Sequence, residues 1–379
     1  MRIYNSKIKT ISLLFLLVCS TLFNSYAQNE RPAHLGFIYP ISTNGLDAAK
    51  FSNNLSIHAL AGLSGGENGL SIYGLAGMVQ GNATGLQVAG LYSKLRGDLT
   101  GVQIAGLMNQ AQNANNGVQI AGIANFLEKD TPVQIAGILN KARNVQGFQN
   151  AGIVNISALN RGAQIAGIAN LTKKIEGAQI AGIFNEAENV KGIQISGIVN
   201  KAKKVDGVQL SGIVNIAESS DYPIGIINLI EDGEIRIGLS SDENLTTMLS
   251  FKSGGRRLYG IVGIGSNLQY GNLPYALEAG LGLKVLEGNS FRLDIEGTNM
   301  FATNFKKGGE YTRSGIKVLP ALLISQNLQI FAGPSLNYTH TKYSNGNDLS
   351  GMQLWSRERR GVYKAVHLGV TAGVNIRIN

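Results

Sequence analysis

The sequence offers few residues whose type and spacing would support catalysis. Its four histidines are far apart in the chain: His34, His58, His340 and His367. No HExxH motif and no Cys/His metal-ligand spacing occurs. Asp294 and Glu296 lie two residues apart, and paired carboxylates could serve as acid and base in glycoside hydrolysis. The ion-lined interior of a β-barrel explains this pair more simply, so we expect no enzymatic activity, no cofactor and no metal.

A basic cluster is the candidate contact site. The longest polar connection of the second half, residues 342–361, holds the single tryptophan, Trp355, followed by Arg357, Arg359 and Arg360. These side chains would suit an anionic partner such as lipopolysaccharide, another surface glycan or a protein. A solvated hairpin loop without a ligand is the alternative, because charge runs usually only face water.

The bulk composition narrows the class of protein. Glycine is frequent, with 49 residues, but it has no three-residue period, and the aliphatic content is too high for a disordered chain. The formal charge is +9, and this excess is spread along the sequence. Because no basic stripe is interleaved with aromatic residues, we expect no nucleic-acid partner.

The first 27 residues resemble a secretory signal peptide. A positively charged start is followed by the short apolar run Ile11–Val18 and by Ser25-Tyr26-Ala27, which predicts cleavage before Gln28. A membrane anchor is the alternative for this run. Cys19 is the single cysteine, and Val18 precedes it where a lipoprotein would have a small residue. We therefore place Cys19 in the leader and expect a mature chain without cysteine.

The following region repeats one nonapeptide, seen as GVQIAGIAN from Gly117. Its glutamines recur at steps of sixteen residues at first and fifteen thereafter: Gln87, Gln103, Gln119, Gln134, Gln149, Gln164, Gln179, Gln194 and Gln209. Two weaker copies carry Ser56 and Ser71 in the glutamine position. About eleven units therefore fill residues 54–216, and such a fixed period indicates stacked structural units.

Each unit pairs a β-branched segment with a polar turn, which predicts a strand. The units could be coils of a parallel β-solenoid or strands of an antiparallel meander or larger barrel. Similar turns after every unit favour parallel stacking. We then expect two buried isoleucine rows, represented by Ile165 and Ile168, and a second apolar row to close the back wall. The members of that second row are Val145, Ile175, Val190 and Val205.

The repeated glycines and amides have structural interpretations. Glycines such as Gly167 predict a bend where a side chain would clash. The rows of glutamine and asparagine suggest hydrogen-bonded ladders, with a ligand-binding face as the alternative. Asn150 interrupts the first isoleucine row, and an asparagine buried there would need a partner.

The second half predicts about eight antiparallel strands. In its last strand, Val366 and Leu368 alternate with His367 and Thr371. One apolar and one polar face suit either a sheet packed on another sheet or a transmembrane barrel with its polar face inside. The export signal, the even strand number and strand lengths near those needed to cross a bilayer favour the barrel.

The repeats and the segments that flank them, FIYPISTNG and YPIGIINLI, resemble those of the bacterial surface-repeat proteins. That resemblance implies an outer-membrane or surface location and supplies no ligand residues. The predicted order is a signal peptide (1–27), a lead-in (28–53), a β-solenoid (54–216), a junction (217–233) and a barrel (234–379). We expect an exported all-β protein, bound to outer-membrane lipid, with a structural or interaction role. An outer-membrane channel or receptor for a small solute is the alternative function.

Overall fold

The computed structural model describes residues 29–268, 274–305, 310–342 and 352–378. The predicted signal peptide, its cleavage site and Cys19 lie outside these residues. Strands make up 77% of the structure, with one short 3-10 helix, Gly45–Lys50. Within the described ranges, no helix is long and apolar enough to cross a membrane.

The chain divides into two compact units, one ending at Gly117 and the other beginning at Val118. Coils of a parallel β-solenoid, about 12 in all, make up the described part of the first unit and the beginning of the second. A closed antiparallel barrel of eight strands makes up the rest of the second unit. The predicted all-β fold with a solenoid and a barrel is confirmed.

The strands of the solenoid coils are short. They are β1 (Glu30–Ile38), β2 (Ile41–Ser42), β3 (Ser52–Ser64), β4 (Gly66–Tyr73), β5 (Ala76–Val79), β6 (Ala83–Ala89), β7 (Tyr92–Leu95), β8 (Asp98–Ala105), β9 (Met108–Ala111), β10 (Asn113–Ala121), β11 (Ala124–Leu127), β12 (Asp130–Ala136), β13 (Leu139–Lys141), β14 (Asn144–Ala151), β15 (Val154–Asn160), β16 (Ala163–Ala166), β17 (Ala169–Ala181), β18 (Phe184–Glu186), β19 (Asn189–Ser196), β20 (Val199–Lys201), β21 (Lys204–Ser211), β22 (Val214–Ala217), β23 (Ser219–Ile224) and β24 (Ile227–Ile230).

The register places each residue over its equivalent in the next repeat. Gln179 pairs with Gln194 between β17 and β19, and Asn185 pairs with Asn200 between β18 and β20, both in parallel. The antiparallel alternative is therefore wrong. The same stacking includes β1, which pairs with β3, and β23, which pairs with β21, so it extends into the sequence on both sides of the repeats.

The isoleucine rows are not the core, contrary to the sequence prediction. Gln164 and Asn170 are fully buried, whereas Ile168 is 42% exposed and Ile165 is only half-buried. The reason is the two-residue alternation of a strand, which turns Ile165 outward once Gln164 points inward. The interior of the coil is filled by the amides, by small residues such as Ala166 and by the predicted second row.

That second row is buried as predicted: Val145, Ile175, Val190 and Val205 are at most 2% exposed. Asn150 pairs with Ile135 and Ile165 in the outward-facing row and is half-buried. Because this row faces outward by alternation, Asn150 is not fully buried, and the partner that a buried asparagine would need is not required.

The repeated glycines mark a close approach of successive coils. A Cβ atom on Gly167 would lie 2.1 Å from the carbonyl oxygen of Gly152, and one on Gly182 would lie 2.2 Å from that of Gly167. Both distances are far below van der Waals contact, so only glycine fits at this corner of the coil. The predicted bend is therefore present.

The barrel strands are longer. They are β25 (Glu234–Asp242), β26 (Thr246–Gly254), β27 (Leu258–Asn267), β28 (Tyr275–Glu287), β29 (Phe291–Thr303), β30 (Glu310–Leu323), β31 (Leu328–Thr341), β32 (Met352–Arg359) and β33 (Val362–Arg377).

Eight of these strands close the barrel. Each strand from β25 to β30 pairs antiparallel with the next, β31 pairs with β33, and β33 returns to β25. The ninth strand, β32, pairs with β33 along Val362–Leu368, while β25 pairs with β33 along Thr371–Arg377. The β32–β33 hairpin therefore extends past the end of β25.

Candidate functional site

Two arrangements of polar side chains in the barrel could have a function: a network of charges inside it and a basic cluster on its outer face. Two-residue alternation along each strand determines which side chains face the barrel interior. On β25 it turns Arg236 inward between the outward-facing Ile235 and Ile237. Arg292, Asp294 and Glu296 face inward on β29 in the same way.

The interior charges are paired with one another. Lys252 Nζ lies 2.6 Å from Glu296 Oε1, and the Arg292 guanidinium donates to Asp294 at 2.8 Å and to Glu234 at 2.7 Å. Asp294 and Glu296, the candidate acid–base pair of the sequence, are therefore each paired with a cationic side chain within the barrel.

A second set of ion pairs lies along other interior rows. Lys317 pairs with Glu278, and Arg313 pairs with Asp242. Arg236 Nη1 lies 3.2 Å from Asp294 Oδ2, and Tyr259, fully buried, donates to Glu296 at 2.8 Å. An eight-stranded barrel has an interior just wide enough for its own side chains, and here long charged and aromatic side chains fill it.

The predicted contact residues lie on the outer surface, at the end of the barrel beyond β25. Trp355, Arg357 and Arg359 belong to strand β32, and Arg360 occupies the turn to β33. The prediction of a loop was thus wrong for 352–359, which extends the sheet by pairing with β33. Residues 343–351 of that connection lie outside the described residues.

The fold adds further residues to this basic cluster. Arg357 pairs with Lys364, which pairs in turn with His340, while Trp355 and Tyr338 flank Val366. Val362 and seven polar or aromatic residues line an open cavity of about 640 Å³; the seven are Tyr338, His340, Trp355, Arg357, Arg359, Arg360 and Lys364. A surface with cationic and aromatic side chains together can bind phosphate or sugar.

Sequence reasoning missed Tyr338, His340 and Lys364. Their positions in alternating strands show which side they face, but the pairing of β31 with β33 decides that they meet Arg357. That register depends on the length of the connection between the strands and cannot be read from either strand alone.

The fold also joins two histidines that are distant in sequence. His34 and His58 meet edge to face in the first unit, with ring centroids 4.4 Å apart, and His58 stacks on Tyr73 at 5.4 Å. A Cβ on Gly62 would lie 2.6 Å from both His58 and Tyr73, so this glycine provides room for the rings. The pairing of β1 with β3 creates this contact.

A buried carboxyl group adjoins these rings. Ser56 Oγ lies 2.8 Å from both carboxyl oxygens of Glu67, and Tyr73 donates to Glu67 at 3.0 Å. Burial raises the pKa of Glu67, and burial, followed by the nearby His34, lowers the pKa of His58 to about 4. All five side chains are at most 2% exposed, so they form a polar core and are not open to solutes.

Among the described residues, no group of three or more His, Cys, Asp or Glu side chains is arranged to hold a metal ion. No protein-family model matches the chain, and no curated protein matches it. A solved chain from the de novo design of transmembrane β-barrels is similar over 38% of this chain and 94% of its own length, with 14% identity and a TM-score of 0.23. A likeness this weak carries no argument.

Proposed function

We propose that the protein is an exported outer-membrane protein in which the barrel is a membrane anchor and the solenoid is an interaction surface. The observation that carries this proposal is the distribution of residues in the barrel wall. Apolar side chains face outward along most of the strands, while Arg236, Lys252, Asp294 and Glu296 face inward and form ion pairs. A wall that is apolar outside and polar inside is typical of a barrel surrounded by lipid.

The last strand illustrates the wall. Leu368 and Val370 are 40% and 55% exposed, whereas His367, Thr371 and Asn375 are at most 5% exposed. These are the faces that the sequence predicts. Five of the barrel strands have 13 to 16 residues, and roughly 9–11 residues are enough to cross a bilayer when tilted.

The two ends of the barrel differ in the length of their connections, and this difference supports one orientation of the barrel in the membrane. The solenoid joins β25 through residues 231–233, at the end where short turns connect β26 to β27, β28 to β29 and β30 to β31. The strand ends that longer stretches of sequence join are at the other end: Asn267 to Tyr275, Thr303 to Glu310 and Thr341 to Met352. Outer-membrane barrels have short periplasmic turns and longer external loops. In this orientation the solenoid lies in the periplasm, and the basic cluster lies on the external side of the outer membrane.

This orientation gives the two surfaces different partners. The basic cluster around Arg357 and Trp355 would meet an anionic surface glycan or the phosphates of lipopolysaccharide. The solenoid would meet lipid or a protein on the periplasmic side. We propose a structural or interaction role for both surfaces and no catalytic step.

The interior ion pairs favour an anchor over a channel, the alternative function. Purified protein should therefore give no steady conductance in planar lipid bilayers. It should also change its mobility on a gel after boiling, because a closed barrel resists unfolding in detergent. Steady conductance would support the channel instead, and unchanged mobility together with recovery in the soluble periplasmic fraction would contradict both functions.

A further inference from the structure

One edge of the solenoid coils in the second unit is apolar on its outer surface. The row that follows the corner glycines is 37–51% exposed and has isoleucine in every coil: Ile123, Ile138, Ile153, Ile168, Ile183, Ile198, Ile213 and Ile226. On the other side of the corner, a second outward row holds isoleucine or leucine in every coil but the one with Asn150. We call these two rows the apolar edge.

The turn that closes each coil is different. Its outward positions are charged in most coils, and its ion pairs lie in contact with water. Arg161 pairs with Glu176 at 3.2 Å, and Lys201 pairs with Glu186 at 2.9 Å. The repeats therefore tolerate charge on their surface but have none on the apolar edge. Eight coils with this division make an amphipathic surface much larger than scattered exposed leucines would be.

The corner amide N–H groups of the apolar edge can enter hydrocarbon without losing hydrogen bonds. At one corner, Gly152 N donates to Ala136 O at 3.2 Å, and Val154 N donates to Ile138 O at 2.9 Å. The same bonds recur at Gly167 and Gly182. An unpaired amide in lipid costs several kcal/mol, and these amides are already paired between coils.

The apolar edge is close to the barrel wall. Asn228 of the last coil donates to the Ser253 carbonyl oxygen of the barrel at 3.1 Å. At the corner of the same coil, a Cβ added to Gly260 of β27 would lie 3.7 Å from the carbonyl oxygen of Ile226, and Gly260 belongs to the outward-facing row of β27 that continues to Ile264. Apolar surface thus continues from the coils to the wall that the proposed function places in lipid.

We propose that the apolar edge lies in the lipid surface beside the barrel, with phospholipid acyl chains as its partner. This inference rests on the proposed function. The two isoleucine rows lie on either side of a corner, so a flat protein surface would cover only one of them at a time. Fluid acyl chains can surround both, as they surround the apolar face of an interfacial helix.

The test compares three single cysteines in the full chain, with the native cysteine removed by Cys19→Ser. Ile168→Cys reports the apolar edge, Lys173→Cys reports the charged turn of the same coil, and Leu239→Cys reports the barrel wall. Each cysteine carries an environment-sensitive fluorophore. The protein is reconstituted in phosphatidylethanolamine and phosphatidylglycerol vesicles that contain a phospholipid with a quencher on its acyl chain.

We expect quenching at Ile168 to approach that at Leu239 and to exceed that at Lys173 several-fold. Quenching at Leu239 but no more at Ile168 than at Lys173 would overturn this inference and leave the barrel anchor intact. Absence of quenching at Leu239 would instead contradict the proposed function. A label at Ile168 that is shielded from both the lipid quencher and aqueous iodide would also overturn the inference, because it would indicate a second copy of the chain at this edge.

Discussion

Gln164 Nε2 donates a 2.8 Å hydrogen bond to Gln149 Oε1, and both side chains are fully buried. The same bond recurs between Gln179 and Gln164 at 3.0 Å and between Gln194 and Gln179 at 2.8 Å. The asparagines form a parallel ladder, with Asn170 donating to Asn185 at 3.0 Å. Paired amides thus occupy the interior that the sequence assigned to isoleucine, and they leave the isoleucines outside.

The amide ladder predicts an inversion of the expected mutational pattern. Gln164→Leu should destabilise the solenoid by about 1–3 kcal/mol, because the buried Gln149 Oε1 loses its donor. Ile165→Thr, the matched outward position, should change stability by no more than about 0.5 kcal/mol. Urea unfolding followed by circular dichroism measures both. A larger loss for Ile165→Thr would contradict the polar core.

The corner glycines predict a steric penalty. Gly167→Ala places a Cβ against the backbone of Gly152, so the coils must separate, and overpacking of this kind costs about 1–3 kcal/mol. Gly297→Ala is the control, because no atom lies within 4 Å of a Cβ added there. Equal thermal unfolding midpoints for Gly167→Ala and the unmodified chain would show that the coils do not approach this closely.

The ion pairs inside the barrel predict that replacing both members of a pair by apolar residues costs less stability than replacing one member. Lys252→Met leaves the Glu296 carboxylate without its ammonium partner, and breaking a buried pair costs about 3–5 kcal/mol. The double replacement Lys252→Met with Glu296→Leu should recover much of that stability. The temperature at which the barrel unfolds in detergent, read from gel mobility, measures both. A double variant no more stable than the single one would contradict this role.

The buried histidines predict an acid-sensitive first unit. Burial and His34 lower the pKa of His58 from 6.5 to about 4, so the unfolded chain binds a proton between these values that the folded chain does not. Stability should therefore fall as pH decreases from 6.5 to 4. The raised pKa of Glu67 has the opposite effect, because it increases stability as pH falls. The contribution of His58 is therefore isolated by comparing the unmodified chain with a His58→Phe variant.

The measurement is the unfolding free energy at several pH values. The His58→Phe variant should lose less stability over this interval than the unmodified chain. Equal losses in the two proteins would show that His58 is not the group responsible.

The fold follows from the sequence because its signals are periodic. The fifteen-residue spacing predicts stacked coils, and two-residue alternation predicts that Leu368 and His367 lie on opposite faces of β33. Alternation alone does not say which face is inside. Hydrophobicity assigned Ile165 to the interior, but the narrow coil and the mutual hydrogen bonds of Gln149, Gln164 and Gln179 reverse that assignment.

The candidate sites depend on strand pairing, which a single strand does not contain. Trp355 and the three arginines were identifiable as a basic cluster, but their strand conformation and their contacts with Tyr338 and Lys364 come from the register of β31, β32 and β33. The contact between His34 and His58 likewise depends on the pairing of β1 with β3. Long-range pairing of this kind is set by turn lengths and by the packing of whole sheets.

The central claim is a barrel in the outer membrane with its solenoid on the periplasmic side. Single cysteines replacing Arg360, in the external hairpin, and Lys203, in a solenoid turn, test it directly with a membrane-impermeant thiol reagent on whole cells. The claim predicts labelling at Arg360→Cys in intact cells, and at Lys203→Cys only after the outer membrane is permeabilised. Labelling at Lys203→Cys but not at Arg360→Cys in intact cells would contradict the orientation, and recovery of the protein in the soluble fraction would contradict the anchor.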